Sequence, residues 1–327
     1  MGRQLRPLNS FNRENVFARY TMLKTTRHLI LSATIISLTA LWAQGSGQVV
    51  FASGFIGGTY YQIANTITDL PDVAMKILLT KGSTENIQLM RDARADMAMA
   101  QLDVFEDATK RDKRVSSGVR ILLPIYDEEV HVIAKKNIRT LQGLEGKTVS
   151  IGPVGSGTAA TSQIIFDAMR IKPKQYDRSD TPEGIKKVLA GQVDALVIVA
   201  GAPYPALKKI DADASSKIHM LRFRGQTYRR FTRKAFGFKK GKIRKKTYPW
   251  LNKSVRTISV DSVILCKASL SENQVKTWIN KIFSNHTELF LGHEKWKQLN
   301  ARAIKKLLRR KKNLFHPAAV SVLKSKT

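Results

Sequence analysis

The sequence is poor in cysteine, and this limits its chemistry. Cys266 is the single cysteine among 327 residues, so the chain can form neither an intramolecular disulfide nor a cysteine-based metal cluster. Cys266 ends the apolar stretch 262–266, which predicts a buried side chain of small hydrophobic character. A hydrophobic content of 43% still supplies enough apolar residues for real cores, which argues against a disordered basic protein.

Acidic residues are also scarce. The chain has 56 Lys and Arg against 25 Asp and Glu, a formal charge of +31, and no carboxylate occurs from Ala214 to Val260. We call residues 214–260 the basic window, and its cations cluster at Arg229-Arg230, Arg233-Lys234, Lys239-Lys240 and Arg244-Lys245-Lys246. The simplest interpretation is a solvated basic surface. Contact with an anionic membrane surface is an alternative, and no nucleic acid partner is expected because the N-terminus predicts export.

Signatures of catalysis and of metal binding are missing. The six histidines show neither an HExxH pattern nor an i,i+4 pair, so we expect no metal site. Ser156 lacks the G-x-S-x-G frame of a hydrolase nucleophile. His131 falls on a predicted strand and is interpreted as structural rather than catalytic. No internal repeat of fixed period is found either.

The N-terminus carries a short apolar run rather than a long one. Lys24 and Arg27 precede the run Leu29–Ala43, which is too short for a comfortable membrane span and is followed by small residues. This pattern predicts a signal peptide over residues 1–43, cleaved near Ala43, and a periplasmic protein; an uncleaved anchor is the alternative. Met22 is a second candidate start, which would make the N-terminus over-long by 21 residues.

Two glycine-rich turns of matching design are the most informative positive feature. The first runs from Ser53 to Tyr61 and contains Gly57-Gly58-Thr59-Tyr60, and the second runs from Gly152 to Thr158. Each joins an apolar strand to an amphipathic helix. Glycine lets the backbone approach a ligand, and the helix that follows directs unpaired N–H groups to the same place. Together the two turns predict a site for a small acid between two α/β lobes.

Strands and helices alternate along the rest of the chain, as in an α/β protein. Ser83 is predicted to cap a helix from Thr84 to about Ala93, and 194–200 reads as a strand buried on both faces. Ser271 and Gln274 have the spacing of a capping box. The last 30 residues are predicted to form a basic amphipathic helix and an irregular tail.

The second turn also fits a dinucleotide-binding pattern in part. Gly155-x-Gly157-x-x-Ala160 matches the fingerprint, and Asp180 follows 20 residues after Ala160. That acid should end a strand, yet the segment 171–183 is polar and contains two prolines. Export would also separate the protein from cytosolic cofactors. A dinucleotide-dependent enzyme is therefore a rival interpretation, and we expect no cofactor.

A longer ordered series of motifs resembles a known family. The series contains Gly57-Gly58-Thr59-Tyr60-Tyr61, Gly82-Ser83-x-Glu85-Asn86, Ala95-Asp96-x-Ala98-x-Ala100-Gln101-x-Asp103, Tyr126-x-x-Glu129-Val130-His131-Val132, Leu144-x-Gly146-Lys147-x-Val149-Ser150-Ile151-Gly152-x-x-Gly155-Ser156-Gly157-Thr158, Asp194-Ala195, Gly201-x-Pro203-x-Pro205 and Thr247-Tyr248-Pro249. Over roughly residues 48–270 the chain resembles the TAXI family, the extracytoplasmic immunogenic solute receptors associated with TRAP transporters. The family's C-terminal His-Pro-Gly-Ala stands here as His316-Pro317-Ala318-Ala319.

The resemblance implies a fold, a function and a set of partners. The fold is α/β, type II periplasmic-binding-protein-like, with two α/β lobes, a hinge and an interlobe ligand cleft. The function is capture of a small carboxylate such as glutamate or 2-oxoglutarate and its delivery to the permease subunits of a TRAP-type transporter, with no enzymatic activity. We expect a monomer, with lobe one at 48–132 plus 256–327 and lobe two at 133–255.

Carried over by position, the resemblance implies contacts to the ligand from both lobes. Glu129 is placed at the crossover between them, where it would meet a ligand amino group or brace the hinge. The full set of implied ligand-binding residues is Gly58, Thr59, Tyr60, Asn86, Gln101, Glu129, Ser156, Gly157, Thr158 and Gly201. The alternative function is a basic, surface-exposed, adhesin-like protein that binds polyanions, with the solute cleft vestigial.

Overall fold

A computed structural model describes residues 48–233 and 237–327 of the chain. The predicted signal peptide, and Lys234 and Phe236 of the basic window, lie outside the described residues. Val49–Thr327 forms one compact unit. Within the two described ranges, no helix is both long enough and apolar enough to cross a bilayer.

Strands in the first part of the chain are short, and two later strands are long. The strands are β1 Val49–Ala52, β2 Met75–Leu78, β3 Met97–Gln101, β4 Val119–Lys135, β5 Thr148–Ser150, β6 Gln175–Asp177, β7 Ala195–Ala200, β8 Ile218–Met220, β9 Lys239–Ile243 and β10 Val255–Lys267.

The helices fill the connections and most of the C-terminal third. They are α1 Thr59–Thr68, α2 Ser83–Arg91, α3 Leu102–Arg111, α4 Lys113–Gly118, α5 Gly157–Met169, α6 Thr181–Leu189, α7 Pro205–Lys208, α8 Ala212–Ser215, α9 Gly225–Phe231, α10 Glu272–Ser284, α11 His286–Gly292, α12 Ala301–Lys311 and α13 Pro317–Ser325. Short 3-10 turns lie at Gln142–Leu144, Glu294–Gln298 and Lys312–Leu314.

The sheet repeats one arrangement twice. Its order is β2-β1-β3-β10-β4-β7-β5-β6, with β8 beside β4 and β9 beside β10. In the first half, β1 is parallel to β2 and β3, and β10 runs antiparallel beside β3. In the second half, β5 is parallel to β6 and β7, and β4 runs antiparallel beside β7. The predicted α/β, type II periplasmic-binding-protein-like fold class is confirmed.

The long strands β4 and β10 contribute to three hydrophobic clusters, one in the first half of the sheet and two in the second. Their Val119–Tyr126 and Val263–Cys266 segments pack with β1, β3 and the C-terminal helices. Val130, Val132, Ile258 and Val260 pack instead with β5, β7 and α5. Both strands run without interruption through the predicted lobe boundaries, so those boundaries stay a prediction.

Of three predictions about local structure, one is confirmed and two are wrong. The capping box at Ser271 is confirmed, with both reciprocal hydrogen bonds formed. Ser83 as a helix cap is wrong: Gly82 is the cap, at a φ of +119° that only glycine adopts without strain, and Ser83 is the first helical residue. The irregular C-terminal tail is also wrong, because α13 follows α12 and buries Ala319 and Leu323.

Candidate functional site

A cavity opens where equivalent elements of the two halves meet. The turns after β1 and β5, the end of β3 at Gln101 and the end of β7 at Ala200 all border it. Ligands of α/β sheets bind at such carboxyl ends of strands. We call it the cleft; its lining is Gly54, Phe55, Gly58, Thr59, Tyr60, Lys81, Gly82, Ser83, Gln101, Tyr126, Glu128, Gly152, Pro153, Ser156, Gly157, Thr158, Asp180, Thr181, Ile198, Val199, Ala200 and Tyr204.

The cleft is small and has little charge. Its volume of about 90 Å³ holds several water molecules or one small organic molecule, which excludes a polymer as its occupant. Of the described residues that line it, Lys81 alone is a cation, and it is exposed. Asp180 is exposed as well and caps α6 by accepting from Glu183 N at 2.9 Å.

The first turn places an uncapped helix N-terminus at the cleft. Gly57 adopts a φ of +84°, which turns the chain so that Gly58 N donates to Phe55 O at 3.0 Å. Gly58 then serves as the N-cap of α1 and offers no side-chain acceptor. The first N–H groups of α1, at Thr59 and Tyr60, therefore have no cap from a side chain at this end of the cleft.

The second turn is built differently. Ser156 caps α5, its Oγ accepting from Ala159 N at 3.0 Å, while its hydroxyl hydrogen stays available. Thr158 Oγ1 accepts from Val199 N at 3.1 Å, which ties the helix start to the end of β7. Gly155 and Gly152 have φ values of +95° and +80°.

The second turn contacts the first half across the cleft. Glu85 N, in the first turn of α2, donates to Gly155 O at 3.0 Å, so a carbonyl of the second half caps a helix of the first half. Gly157 lies so close to the opposite wall that a Cβ there would stand 1.8 Å from Gln101 Oε1 and 2.6 Å from Ser83 Oγ. The absence of a side chain at Gly157 is thus required by this conformation.

A buried polar cluster forms the floor of the cleft on the first half. Gln101 Nε2 donates to Glu128 Oε2 at 3.1 Å, and Gln101 N donates to Ser83 Oγ at 3.0 Å. Glu128 is only 3% exposed, and its Oε1 has no hydrogen-bond partner among the described residues. Burial raises the pKa of Glu128 to about 8, so the carboxyl is protonated at neutral pH. It then presents a hydrogen-bonding group of variable charge to the cleft.

The structure brings together seven of the ten predicted site residues. Those that line the cleft are Gly58, Thr59, Tyr60, Gln101, Ser156, Gly157 and Thr158. Asn86, Glu129 and Gly201 are not part of its lining.

Each of these three residues has a local structural role instead. Asn86 is fully buried, and its amide donates to Ser53 O at 2.7 Å and to Met99 O at 2.8 Å, which joins three segments. Glu129 Oε2 accepts from Ala202 N at 2.8 Å. At Gly201, a Cβ would lie 2.6 Å from Lys295 Cε, so the glycine makes room for that lysine.

Sequence reasoning missed Glu128, although a signal for it existed. Side chains of a strand alternate between its two faces, so Tyr126 and Glu128 share a face of β4 and Glu129 points away. Tyr126 is itself buried at the cleft, and its register partner on β10 is Ser262, whose hydroxyl is buried there too. Glu129 as a ligand contact stays a prediction, and the hydrogen bond that it accepts from Ala202 fits the alternative in which it braces the hinge.

His131 and Cys266 have structural roles. The carbonyl of Glu129 can only accept, so His131 Nδ1 donates to it at 2.9 Å and Nε2 accepts from Tyr248 OH at 2.7 Å. Burial lowers the pKa of His131 to about 4 and raises that of Cys266 to about 12, so both are neutral. In the described ranges, no three His, Cys, Asp or Glu side chains assemble as metal ligands.

The dinucleotide interpretation meets one correction. The polar segment before Asp180 does form a strand, since β6 pairs in parallel with β5. The space in front of Gly157 is nevertheless filled by Gln101 and Ser83. A pyrophosphate could not approach the turn in this conformation.

Solved structures that resemble this chain include several with bound ligands. The GluR0 ligand-binding core from Nostoc punctiforme in complex with L-glutamate is 14% identical, covering 76% of this chain and 98% of that one, with a TM-score of 0.45. The amino acid ABC transporter substrate-binding protein AbpA from Streptococcus pneumoniae, bound to L-arginine, is 16% identical over 77% and 95%, with a TM-score of 0.44. XAC2383 from Xanthomonas citri, bound to ATP, is 10% identical over 85% and 98%, with a TM-score of 0.49. Similarity this low says nothing about the ligand of this chain.

A family model matches most of the sequence. The match extends over residues 51–326 and so takes in both halves of the sheet, the cleft and the C-terminal helices. The TAXI resemblance is finer than this match and stays a prediction. The chain belongs to the NMT1-like family.

Proposed function

We propose that the protein is an extracytoplasmic solute receptor that binds a small organic acid in the cleft. The observation that carries the proposal is the uncapped N-terminus of α1, which faces the N-terminus of α5 across a cavity lined by the buried carboxyl group of Glu128. Helix N-termini favour anions through their free N–H groups and dipoles. The free N–H groups at the start of α1 and the hydroxyls of Thr59, Ser156 and Thr158 would hold the ligand carboxylate.

Glu128 would contact the second functional group of the ligand, the ammonium or keto group. A glutamate-like ligand has an ammonium group, which favours ionised Glu128. A 2-oxoglutarate-like ligand has a keto oxygen, which can accept from protonated Glu128. With a pKa of about 8, Glu128 can adopt either state near neutral pH. The ligand's second functional group is therefore distinguishable by the pH dependence of binding.

Capture would proceed by closure of two lobes, 48–132 plus 256–327 and 133–255, about β4 and β10. The hydrophobic clusters, one in the first half and two in the second, and the continuous long strands that join them support this division. The direct contacts of the second turn with α2 and with the end of β3 would belong to the closed state. We further propose that a monomeric periplasmic protein, released by cleavage near Ala43, delivers the acid to a TRAP-type permease without chemical change.

The deciding experiment is calorimetric titration of the purified full chain with glutamate, 2-oxoglutarate and glutaramide at several pH values. We expect the two acids to bind and glutaramide, which lacks carboxylates, not to bind. Glutamate should bind more tightly as the pH rises towards 8, whereas 2-oxoglutarate should bind more weakly above it. Binding of glutaramide as tightly as the acids would contradict the anion site.

Delivery needs a separate test. Vesicles that contain a TRAP-type permease should accumulate the bound acid only when the receptor is added. N-terminal sequencing of protein from the cell envelope should begin near Gln44 to Gln48. Accumulation without the receptor, or an intact N-terminus in mature cytosolic protein, would contradict these two assignments.

A further inference from the structure

A second feature lies on the basic window, away from the cleft. Arg222 and Arg224 are exposed and alternate with buried Leu221 and Phe223, which is the pattern of an extended segment with one face in the core. Phe223 N donates to Arg256 O at 3.0 Å, so this segment lies beside β10. Arg256 in turn faces Lys242 across the antiparallel β9–β10 ladder. We call Arg222, Arg224, Lys242 and Arg256 the arginine face.

The four cations share one surface depression. All of them line it, together with Tyr228, Gly241 and Ser254. The guanidinium of Arg256 lies over the ring of Tyr228, 5.3 Å from its centroid, which restricts the orientation of that charge. Arg222 and Arg224 also line the adjoining depression, where they meet exposed Lys136 and Arg139. The positive surface therefore extends well beyond a site for one small anion.

This arrangement is unfavourable for the isolated protein. Like charges directly opposite each other on neighbouring strands destabilise a sheet, and Arg256 and Lys242 are such a pair. None of the four cations forms an ion pair with a described carboxylate, and the sequence from Ala214 to Val260 contains no carboxylate at all. An external anionic partner would relieve this repulsion.

The composition of the face identifies the kind of partner. Protein interfaces depend on Trp, Tyr and Arg anchors in well-packed, desolvated pockets at their centre. Of the aromatic side chains that line this depression, Phe223 is buried and Tyr228 is already covered by the Arg256 guanidinium. The large apolar side chains that the described residues expose are Phe55, Ile56, Leu79, Val154, Phe290 and Leu291, and none lies on the arginine face. An anionic lipid surface requires only positive charge spread over an area. We propose that the arginine face docks the protein on an anionic membrane, pairing its guanidinium groups with lipid phosphates.

The test is co-sedimentation of the full chain with vesicles of phosphatidylcholine, with and without phosphatidylglycerol. The variant Arg222→Gln/Arg224→Gln/Lys242→Gln/Arg256→Gln should lose binding to the mixed vesicles by roughly a hundredfold or more. A matched control, Arg302→Gln/Lys305→Gln/Lys306→Gln/Arg309→Gln, removes four exposed cations from the other basic surface, on α12, and should retain most of the binding. Because both variants lose the same charge, the control tests whether the position of the cations on the surface matters.

Several results would overturn the proposal. Equal losses in the two variants would mean that net charge alone matters. Equal binding to both kinds of vesicle would exclude attraction by the net negative charge of the lipid surface. Tight binding of heparin or RNA without vesicle binding would assign the face to a free polyanion. If the fourfold variant fails to fold, Arg222→Gln/Arg256→Gln provides the same comparison with half the charge change. None of the four residues lines the cleft, so solute binding should be unchanged in either variant and reports separately on the proposed function.

Discussion

At the scale of single residues, Glu128 and Gly157 determine the chemistry and the shape of the cleft. Glu128 contributes a buried carboxyl whose Oε1 has no partner in the described part of the chain. Gly157 contributes the absence of a side chain where the opposite wall comes closest. Both can be tested by substitutions that differ by a few atoms.

Glu128→Gln should change how stability depends on pH. The pKa of Glu128 is about 8 when folded and near 4.5 when unfolded, so the folded state keeps a proton that the unfolded chain releases. Stability therefore falls as the pH rises from 4.5 towards 8. His131, with a pKa lowered from 6.5 to about 4, and Asp103, with a pKa raised from 3.8 to about 6, affect the pH dependence mainly at or below pH 6.5. Between 6.5 and 8 the loss due to Glu128 is up to about 2 kcal/mol.

Chemical denaturation at pH 6.5 and at pH 8 measures this difference in the free energy of unfolding. The variant should be nearly insensitive to pH in that interval, since glutamine does not ionise. If the free energy of unfolding of Glu128→Gln depended on pH as it does in the wild type, another titratable group would be responsible for the pH dependence. The same variant should keep affinity for a keto acid and lose affinity for an amino acid.

Gly157→Ala should weaken ligand binding by about tenfold to a hundredfold. Its Cβ would overlap Gln101 in the closed conformation, and overpacking of this kind costs about 1–3 kcal/mol. Calorimetric titration measures the change. Gly118→Ala is the matched control, because a Cβ there meets nothing within 4 Å. Wild-type affinity in Gly157→Ala would mean that the closed contact is not part of binding.

At the scale of elements, the start of α5 has two roles that can be separated. Ser156→Ala removes a cap and should lower the free energy of unfolding by about 1 kcal/mol. Ser271→Ala removes the corresponding cap of α10, which does not border the cleft, and should cost a similar amount. If the Ser156 hydroxyl also donates to a ligand carboxylate, its loss should cost up to about 3 kcal/mol of binding. Equal ligand affinity in the two variants would restrict Ser156 to capping.

At the scale of the whole molecule, the contacts between halves predict a closing motion. Thr161 Oγ1 of α5 donates to buried Asp103 Oδ2 of α3 at 2.7 Å, and Glu85 N donates to Gly155 O. Closure requires that ligand bind the closed state better than the open one. Small-angle scattering should show a smaller radius of gyration when saturating ligand is added.

Thr161→Val should shift this equilibrium. It preserves shape but leaves Asp103 buried without its donor, which destabilises the closed state by about 1–3 kcal/mol. We expect a larger radius of gyration without ligand and weaker binding, mainly through faster release. Scattering curves that do not change on ligand binding, at proven occupancy, would exclude a hinge.

Neighbouring residues in the sequence are enough to predict the local features of this protein. Turn glycines, apolar periodicity and the capping box at Ser271 are written in neighbouring residues, so the α/β class and the two matched turns could be predicted. The sequence also determined the absence of cysteine chemistry and the acid-free basic window. The duplicated strand order could not be predicted from the sequence, because the two halves share a topology and not a repeated sequence.

Which residues contact one another depends on how distant segments of the chain pack. Gln101 and Gly157 are 56 positions apart in the chain, and their contact depends on how the two halves pack. The choice of Glu128 over Glu129 depended on the register of β4, where a shift of one residue exchanges the cleft face for the opposite face. Asn86 stays a predicted ligand residue, although in the folded chain its side chain makes three buried hydrogen bonds to other parts of the protein. Burial and long-range pairing assign such roles, and both arise only when distant segments come together.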